Sequence, residues 1–408
     1  MKIIIIGAGP AGVSAAETIR AHDQQSEILM FSSEPFPPYS PPAMADHFIH
    51  ESKAHLWRGQ DWPEKQGVDY KSGSAVIEVE AENHLVRLAD GKNTAYDRLV
   101  IATGSRLYAP VEGAEVPGVY NFKSLSAAQT LVERVKSGEA QQALIVGAGF
   151  IGLEIALLLR KLGVAVTQVE MTEQVMPAML DMDTAQLTLK FMQQRGIDLR
   201  LNTKAVAFIG DDRAEGVRLE SGESLYADVL VAATGVRPNL EFLEGSGIAH
   251  GWGITVDEYL RTNLADIYAA GDVVEVPDLL TGETYVHAIF LNAVEQGNVV
   301  GLNILGIDNR YEGAHRMNSL KHLDLPIMAA GLKTGDQVLQ TRRDGSLRTV
   351  YLQENRVVGF QLVGDIKAAG VLRGLMNRQQ NVGSFKDKLL DTTFGQGMII
   401  WEAMAPWV

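Results

Sequence analysis

Hydrophobic and polar positions divide the first part of the chain into a strand, a turn, a helix and a second strand. The run Lys2–Ile6 is dominated by isoleucine, which is typical of a strand buried on both faces. Residues Val13–His22 have helical character, and Glu27–Phe31 predicts the next strand. This order is typical of a βαβ unit in a parallel sheet.

A near copy of this unit begins at residue 143. Ala143–Val146 predicts a strand, Leu153–Leu162 a helix that ends at Gly163, and Val164–Val169 a further strand. Two copies so far apart indicate two nucleotide-binding domains rather than a short-period repeat protein.

The remaining pattern predicts smaller sheets around these units. Residues 75–100 alternate between apolar and polar positions, which predicts a β-meander. Residues 350–363 predict antiparallel strands, and residues 365–377 predict a helix. Three buried strands run into turns of small residues, at 99–104, 229–235 and 267–272.

Both repeats carry the glycine pattern of a dinucleotide-binding turn. The first glycine permits a tight turn, the second lets the backbone approach a pyrophosphate, and the third allows close packing of helix on strand. The helix start then presents N–H groups to the phosphates. The motifs comprise Gly7, Gly9, Pro10, Ala11 and Gly12, and Gly147, Gly149, Phe150, Ile151 and Gly152. One such motif is weak evidence, whereas two in matching context favour two nucleotide sites.

An acidic residue at the end of the second strand usually binds the ribose hydroxyls. After the first motif the nearest candidate is Glu34, which comes slightly late, with Ser33 beside it. After the second motif, Glu170 lies 23 residues beyond Gly147, close to the expected spacing. A carboxylate there repels a 2′-phosphate, so the sequence predicts NADH rather than NADPH.

Composition narrows the chemistry. The chain has 408 residues, a net charge of −14 and no cysteine. The negative charge argues against nucleic acid as a partner, and the missing cysteine excludes disulfides, thiolate metal sites and cysteine nucleophiles. Metal-binding motifs and long apolar runs are absent from the sequence, and the apolar N-terminus fits a strand better than a signal peptide. We therefore expect a cytoplasmic protein without a metal site or a membrane span.

Charge is distributed unevenly along the chain. Residues 316–408 carry 12 basic against 8 acidic side chains, a net charge of +4, while the preceding 315 residues carry 24 against 42, a net charge of −18. Such asymmetry predicts a separate module with its own partner.

Taken together, these motifs resemble the pyridine nucleotide–disulfide oxidoreductase superfamily of flavoproteins over residues 1 to about 315. Thr103-Gly104-Ser105 resembles the turn that ends the first part of the FAD domain, and Thr234–Asn239 the crossover that closes the NAD domain. Ala270-Gly271-Asp272 resembles the second FAD fingerprint, whose aspartate binds the ribityl chain. Glu295–Gly297 resembles the helix that abuts the flavin.

The resemblance implies an α/β fold of two Rossmann-like domains and a small C-terminal α+β domain. The FAD domain would comprise residues 1–108 and 236–315, with the NAD domain, 109–235, inserted, and residues 316–408 would cover the flavin or dock a partner. The implied FAD ligands are Gly7, Gly9, Pro10, Ala11, Gly12, Ser33, Glu34, Ala102, Thr103, Gly104, Gly271, Asp272 and Phe290. The implied NAD ligands are Gly147, Gly149, Phe150, Ile151, Gly152, Glu170, Thr234 and Gly235, with Glu154 near the nicotinamide.

Within the superfamily, the missing cysteine points away from thiol chemistry and towards reductases of small electron carriers. Residues Pro38–Pro42 resemble the proline-rich stretch of the ferredoxin, rubredoxin and putidaredoxin reductases, although Phe290 stands where these have tryptophan. The implied function is electron transfer from NADH through FAD to an acidic carrier protein or an iron–sulfur subunit, or the reverse. The alternatives are an NADH oxidase or quinone-type reductase, and a flavin-bearing sensing or structural subunit.

Several further residues have a functional and a structural interpretation. Arginines 342, 343 and 373 could dock the carrier. For Lys321, His322, His287 and the aromatic residues Phe394, Trp401 and Trp407, the structural interpretation is favoured, since buried aromatic residues mostly serve packing.

Overall fold

The computed structural model describes residues 1–320, 326–395 and 397–398. Its α-helices are α1 (Pro10–His22), α2 (Met44–His50), α3 (Trp62–Lys65), α4 (Leu125–Lys136), α5 (Phe150–Lys161), α6 (Met182–Gln194), α7 (Phe290–Asn303) and α8 (Ala369–Asn377). Short 3₁₀ turns lie at Pro41–Ala43, Ala81–Asn83, Glu241–Leu243 and Lys386–Leu390. Within the described ranges, no helix is both long and apolar enough to cross a membrane.

The strands of the described residues fall into seven sheets. Those of the first half are β1 (Lys2–Ile6), β2 (Glu27–Phe31), β3 (Val68–Lys71), β4 (Val76–Glu80), β5 (Leu85–Leu88), β6 (Asn93–Ala95), β7 (Arg98–Ile101), β8 (Ser105–Leu107), β9 (Val119–Tyr120), β10 (Gln142–Val146), β11 (Ala165–Val169) and β12 (Ile197–Arg200). Those of the second half are β13 (Ala205–Ile209), β14 (Gly216–Leu219), β15 (Ser224–Tyr226), β16 (Val229–Ala232), β17 (Val236–Pro238), β18 (Ile254–Thr255), β19 (Ile267–Ala269), β20 (Val274–Pro277), β21 (Thr284–Val286), β22 (Met317–Leu320), β23 (Ile327–Gly331), β24 (Gln337–Arg343), β25 (Ser346–Gln353) and β26 (Arg356–Val363).

The first compact unit comprises residues 1–108, 122–132 and 235–315. Its centre is a parallel five-stranded sheet in the order β19-β7-β1-β2-β3. Ile3, Ile4 and Ile5 are fully buried, as expected for a strand covered on both faces. Helix α7 packs so closely on α1 that a Cβ at Gly297 would lie 2.3 Å from the carbonyl oxygen of Ala11. The predicted meander is confirmed as the antiparallel sheet β4-β5-β6.

The second compact unit comprises residues 109–121 and 133–234 together with residues of the C-terminal part. It holds a parallel sheet in the order β12-β11-β10-β16-β9, whose β10-α5-β11 segment repeats β1-α1-β2 of the first unit. The sequence prediction of two βαβ units is thus confirmed.

The C-terminal residues form the antiparallel sheet β22-β23-β26-β25-β24, with α8 against it. This sheet is tied to the start of α6 by polar contacts. Gln361 Oε1 accepts a hydrogen bond of 3.0 Å from the backbone N–H of Asp181, and Tyr351 donates its hydroxyl to the Asp181 carboxylate. The charge boundary near residue 316 thus coincides with the division between the two compact units, and the C-terminal residues group with the second unit. The domain limits drawn from the sequence stay a prediction.

The two helices after the glycine turns begin earlier than predicted. They start at Pro10 and Phe150, three residues before the predicted Val13 and Leu153. The last residues of each glycine motif already have helical geometry, because the third glycine must pack against the strand from within the first helical turn. The C-terminal helix starts at Ala369, four residues after the predicted Asp365.

Candidate cofactor-binding site

In the first glycine turn (residues 7–12), the three glycines differ in what an added Cβ would contact. Gly7 has φ +110°, and a Cβ there would lie 2.1 Å from the carbonyl oxygen of Ala102. A Cβ at Gly12 would lie 2.0 Å from the carbonyl oxygen of Gly7. At Gly9, by contrast, a Cβ would meet nothing within 4 Å. The outer two glycines are thus required by contacts within the protein, and the middle one faces open space.

The second glycine turn (residues 147–152) has the same geometry. Gly147 has φ +104°, and a Cβ there would lie 2.6 Å from the carbonyl oxygen of Ala233. A Cβ at Gly152 would lie 2.2 Å from the Gly147 oxygen, whereas Gly149 faces open space. Ala233 therefore corresponds to Ala102 of the first unit, and Thr234 corresponds to Thr103.

The N–H groups at the starts of α1 and α5 can bind an anion. Helix α1 follows Gly9 and helix α5 follows Gly149, and neither glycine supplies a side-chain cap. The first N–H groups of a helix have no partner within the helix, and a phosphate satisfies them well. Open space at the middle glycine and uncapped N–H groups at the same place fit a pyrophosphate at each turn.

Glu170 is held at the edge of the second glycine turn. Its Oε2 accepts a hydrogen bond of 2.8 Å from Ala148 N. Its Oε1 accepts bonds from the backbone N–H and the hydroxyl of Thr172, at 2.9 and 3.0 Å. Because a carboxylate offers about four lone-pair positions, one remains for a ribose hydroxyl. Glu170 is also buried. Its three hydrogen bonds fix its orientation before any ligand binds.

Two apolar side chains beside the second glycine turn are exposed. Ile151, within the motif, is 37% exposed, and Met171, next to Glu170, is 64% exposed. Isolated exposed apolar side chains are common, but these two flank the same turn. They would be covered by the flat rings of a dinucleotide. Glu154 lies half-buried on α5.

In the first unit, the position equivalent to Glu170 is Ser32. The two residues match because Ser32 N donates to Lys71 O at the end of β3, and Glu170 N donates to Arg200 O at the end of β12. Ser33 is exposed. The Glu34 carboxylate accepts bonds from the Tyr39 hydroxyl at 3.3 Å and from Ser126 N at 3.0 Å. Its assignment as a ribose ligand stays a prediction.

Tyr39 is part of this contact. Its hydroxyl accepts a bond of 3.0 Å from Leu125 N at the start of α4. Burial, and to a smaller extent the nearby Glu34 carboxylate, raises the pKa of Tyr39, so the hydroxyl stays protonated and can donate. Glu34 and Tyr39 together hold the beginning of α4.

Asp272 lies beside the first glycine turn. Gly271, with φ +87°, donates its N–H to Gln296 Oε1 at 2.6 Å, and a Cβ on it would lie 3.0 Å from the Ala11 Cβ. The Asp272 carboxylate accepts a bond from Ser105 Oγ at 2.8 Å and pairs with Lys123 Nζ at 3.1 Å. This brings a carboxylate, a hydroxyl and an ammonium group close to the proposed pyrophosphate position.

The sequence did not identify Lys123 or Ser105 as site residues. Lys123 is 149 residues away from Asp272 and belongs to none of the motifs. Ser105 is the last residue of the motif Thr103-Gly104-Ser105, which identified the segment but not the role of the Ser105 hydroxyl. Thr103 and Asn239 exchange hydrogen bonds, which fix this segment: Thr103 Oγ1 donates to Asn239 O at 3.2 Å, and Asn239 Nδ2 donates to Thr103 O at 2.8 Å.

Phe290 begins helix α7. Its ring packs edge-on against Trp57, with 5.2 Å between ring centres, and the Arg58 guanidinium lies 4.0 Å above the Trp57 ring. Gly297, seven residues later on the same helix, packs against Ala11 in the first turn of α1. An aromatic pair therefore lies at the start of the helix that packs on α1.

Other residues weighed in the sequence lie elsewhere. His287 is buried and stacks on Tyr285, with 3.8 Å between ring centres, and Phe394 is buried against Phe385. Arg342 and Arg343 are exposed on β24. Lys321, His322, Trp401 and Trp407 lie outside the described residues.

Comparison with known proteins agrees with this geometry. The pyridine nucleotide-disulphide oxidoreductase family matches residues 1–297. A NADH oxidase of Methanocaldococcus jannaschii is 30% identical over 398 residues, covering 90% of this chain and 89% of that protein. Rhodocoxin reductase of Rhodococcus erythropolis is 31% identical over 342 residues, covering 82% of this chain and 79% of that protein. The structure of an NAD-dependent persulfide reductase from A. fulgidus has a TM-score of 0.86 and 28% identity, covering 97% of this chain and 80% of that one.

Proposed function

Because the chain belongs to the pyridine nucleotide-disulphide oxidoreductase family, we propose that it is a reductase that moves electrons from NADH through FAD to a small, acidic electron-carrier protein or an iron–sulfur subunit. One observation carries this proposal: two glycine turns of the same shape, each open at its middle glycine, lie in a chain that contains no cysteine. Two dinucleotides can be held, and no thiol can take the electrons from the second one.

The first unit supplies the FAD site. The first glycine turn would hold the pyrophosphate, and Asp272 would accept a hydroxyl of the ribityl chain. Lys123 lies within 3.1 Å of Asp272, so its ammonium group can balance the charge of the carboxylate and attract the phosphates. Phe290 would contact one edge of the flavin. Bound FAD supplies hydride acceptance and the release of single electrons.

The second unit supplies the nicotinamide-nucleotide site, and we propose that it prefers NADH. Glu170 cannot rotate away without giving up its bonds to Ala148 and Thr172. A 2′-phosphate would therefore meet a fixed negative charge, while a ribose hydroxyl can donate to it. Glu154 on α5 is proposed to lie near the nicotinamide.

The proposed partner is a small redox protein with an acidic surface. Rhodocoxin reductase, to which the chain is similar, supports a carrier as the acceptor. In this chain Arg342 and Arg343 are exposed at one end of β24, within the basic C-terminal part. Opposite charges steer two proteins together and lose effect as salt is added. Neutralising both arginines is expected to lower carrier turnover and its dependence on salt, and unchanged turnover would rule out this docking surface.

The decisive experiment is an anaerobic titration of the purified protein with NADH and, separately, with NADPH, followed by flavin absorbance. Rapid bleaching by NADH, with a much weaker response to NADPH, is the expected result. A colourless protein, or a flavin that neither nucleotide reduces, would refute the reductase. Slow reduction with a long-lived charge-transfer band would instead indicate a sensing or structural role.

A second candidate is direct reduction of oxygen. The NADH oxidase of M. jannaschii, 30% identical to this chain, favours it. The missing cysteine argues against the route through a sulfenic acid. Oxygen consumption with NADH and no added carrier, at a rate matching that of flavin reduction, would establish the oxidase and displace the carrier reductase.

A further inference from the structure

A fully buried glutamine lies beneath the second glycine turn. Gln168 occupies the fourth position of β11 and is 0% exposed. Its side-chain Nε2 donates a hydrogen bond of 2.8 Å to the carbonyl oxygen of Gly147. Its Oε1 is buried without a hydrogen-bond partner among the described residues. Burying an unsatisfied acceptor is unfavourable for folding, so folding stability alone does not account for a glutamine at this position.

Gln168 and Glu170 hold the two ends of one peptide unit. The carbonyl of the Gly147–Ala148 peptide accepts from Gln168, and the N–H of the same peptide donates to Glu170 Oε2 at 2.8 Å. Residues two apart at the end of a strand point to the same side, so β11 presents both side chains to the turn together. A peptide plane that is held at its oxygen and at its nitrogen cannot rotate.

The space around Gln168 is equally restricted. A Cβ at Gly152 would lie 2.9 Å from Gln168 Nε2. The amide nitrogen therefore lies between the first and third glycines of the turn. It fixes the distance between the tight turn and the start of α5, where the N–H groups for a pyrophosphate lie.

The first unit has no equivalent of this contact. Gly7 N donates to Phe31 O and Gly147 N donates to Val169 O, both at 2.8 Å, so the residues before these acceptors, Met30 and Gln168, correspond. Met30 is also 0% exposed, but its thioether cannot donate a hydrogen bond. The same backbone turn is thus formed above an apolar side chain, which shows that the turn does not need the amide in order to fold.

We propose that Gln168 is a positioning residue for nicotinamide-nucleotide binding, which clamps the Gly147–Ala148 peptide and thereby holds Glu170 and the start of α5 in their binding geometry. This inference rests on the proposed function, in which NADH binds at the second turn. A nucleotide that must bind and leave in every turnover gains from a site that is already ordered, because less ordering is left for each binding event.

The test replaces Gln168 by methionine, the residue found at the matching place in the first unit. In the full-length, FAD-loaded protein, Gln168→Met is expected to raise the Kd for NADH about tenfold, which corresponds to about 1.4 kcal/mol. The preference for NADH over NADPH should fall, while FAD content and kcat at saturating NADH stay unchanged. The unfolding temperature should change little, because the unsatisfied oxygen of Gln168 is removed while the Gly147 carbonyl loses its donor.

Two further variants make the result decisive. Met30→Leu changes the corresponding position in the first unit with similar volume and should leave NADH binding unaltered. Gln168→Leu replaces Gln168→Met if the latter folds poorly. An unchanged Kd for NADH in the folded variant would overturn the proposal, and a lower unfolding temperature beside it would show a purely structural glutamine. If the wild-type protein itself binds no NADH, the proposed function fails, and this inference fails with it.

Discussion

The two glycine turns have the same backbone and rest on different side chains. The residues before the two helices have nearly identical dihedral angles, φ −76° and ψ −176° at Gly9 against φ −72° and ψ −175° at Gly149. Beneath the first turn lie Met30 and Ser32, and beneath the second lie Gln168 and Glu170. The backbone therefore determines that a dinucleotide fits, and the end of the neighbouring strand determines how firmly the turn is held.

The two units also differ in where their polar groups come from. The second turn receives them from its own strand, within a few residues of one another. The first receives Asp272 and Lys123 from segments far away in sequence. The polar groups at the second turn are therefore placed by neighbouring residues in sequence, and those at the first turn by the tertiary fold.

The largest effect is expected from adding a methyl group at the first glycine of either turn. Gly7→Ala would place a Cβ 2.1 Å from the Ala102 oxygen at φ +110° and should abolish FAD retention. Gly147→Ala, 2.6 Å from the Ala233 oxygen, should leave the flavin bound and stop its reduction by NADH. Flavin absorbance of the purified variants, before and after NADH, separates the two. Equal loss of flavin in both would contradict the assignment of one cofactor to each turn.

Removing the charge of Glu170 should change nucleotide preference, whereas removing the charge of Glu34 should change stability. Glu170→Gln is expected to reduce the NADH-to-NADPH preference by about tenfold or more, roughly 1.4 kcal/mol, because the repulsion of the 2′-phosphate disappears. The ratio of the two Kd values measures it.

Glu34→Gln removes the charge of the acidic residue that the sequence predicted as a ribose ligand in the first unit, where the position equivalent to Glu170 is Ser32. The Glu34 carboxylate bonds to Tyr39 and Ser126, so the expected result is a loss of about 1 kcal/mol in the free energy of unfolding, measured by denaturant titration. A rise in the Kd for FAD at unchanged stability would instead establish Glu34 as a ribose ligand.

Lys123→Met tests the distant contribution to the FAD site. Loss of a charge-assisted contact to Asp272 and to the phosphates is expected to weaken FAD binding about tenfold. Binding is measured by reconstituting the apoprotein with FAD. The control is Lys92→Met, whose ammonium group pairs with Asp90 in an exposed turn and should not influence FAD. Equal FAD affinity in Lys123→Met and wild type would remove Lys123 from the site.

The smallest effect concerns the connections from helix to strand. In the first unit the turn after α1 is held by Asp23, which accepts bonds from the Ser26 hydroxyl and from the N–H groups of Gln25 and Ser26. These bonds lower the pKa of Asp23 to about 2. In the second unit the corresponding turn uses Gly163 at φ +90°, and its side-chain contact comes from Arg160, whose guanidinium donates to Val164 O at 2.9 Å.

A lowered pKa means that the stabilisation by Asp23 is complete above its ordinary value of 3.8 and is lost as the pH falls towards 2. Since Asp23 is accessible to solvent, the effect should be only about 0.5 kcal/mol. Denaturant unfolding of wild type and Asp23→Asn should differ at pH 6 and converge near pH 2. A constant difference across this range would show that the charge of Asp23 plays no part.

The sequence predicted the parts of the fold that depend on local patterns. The isoleucine run of β1, the alternation in β4 to β6 and the glycines of both turns can be recognised from neighbouring residues alone. The pairing of Lys123 with Asp272 could not, because it depends on which loops the tertiary structure brings together. Glu34 was placed near the nucleotide by spacing, and the structure gives its carboxylate two protein partners that spacing does not reveal.

The role of Gln168 could be predicted only in part from the sequence. A polar residue within the mostly apolar strand Ala165–Val169 is visible in the sequence, but its meaning depends on the carbonyl above it. The first repeat has Met30 in its place and forms the same turn without this hydrogen bond. The difference between the two repeats therefore separates the folding of the turn from the contact that Gln168 adds.

The central sheet of the first unit has a consequence for synthesis of the protein. Strand β7 ends at Ile101, and its neighbour β19 begins at Ile267, so the ribosome must add the whole of the intervening chain before the sheet can close. At translation rates of about 5–20 residues per second, that interval lasts roughly 10–30 s. The parallel sheet of the second unit is fully synthesised by Ala232, before β19 emerges. We therefore expect the nicotinamide half to be ordered first on the nascent chain and flavin capture to be a late step in biogenesis.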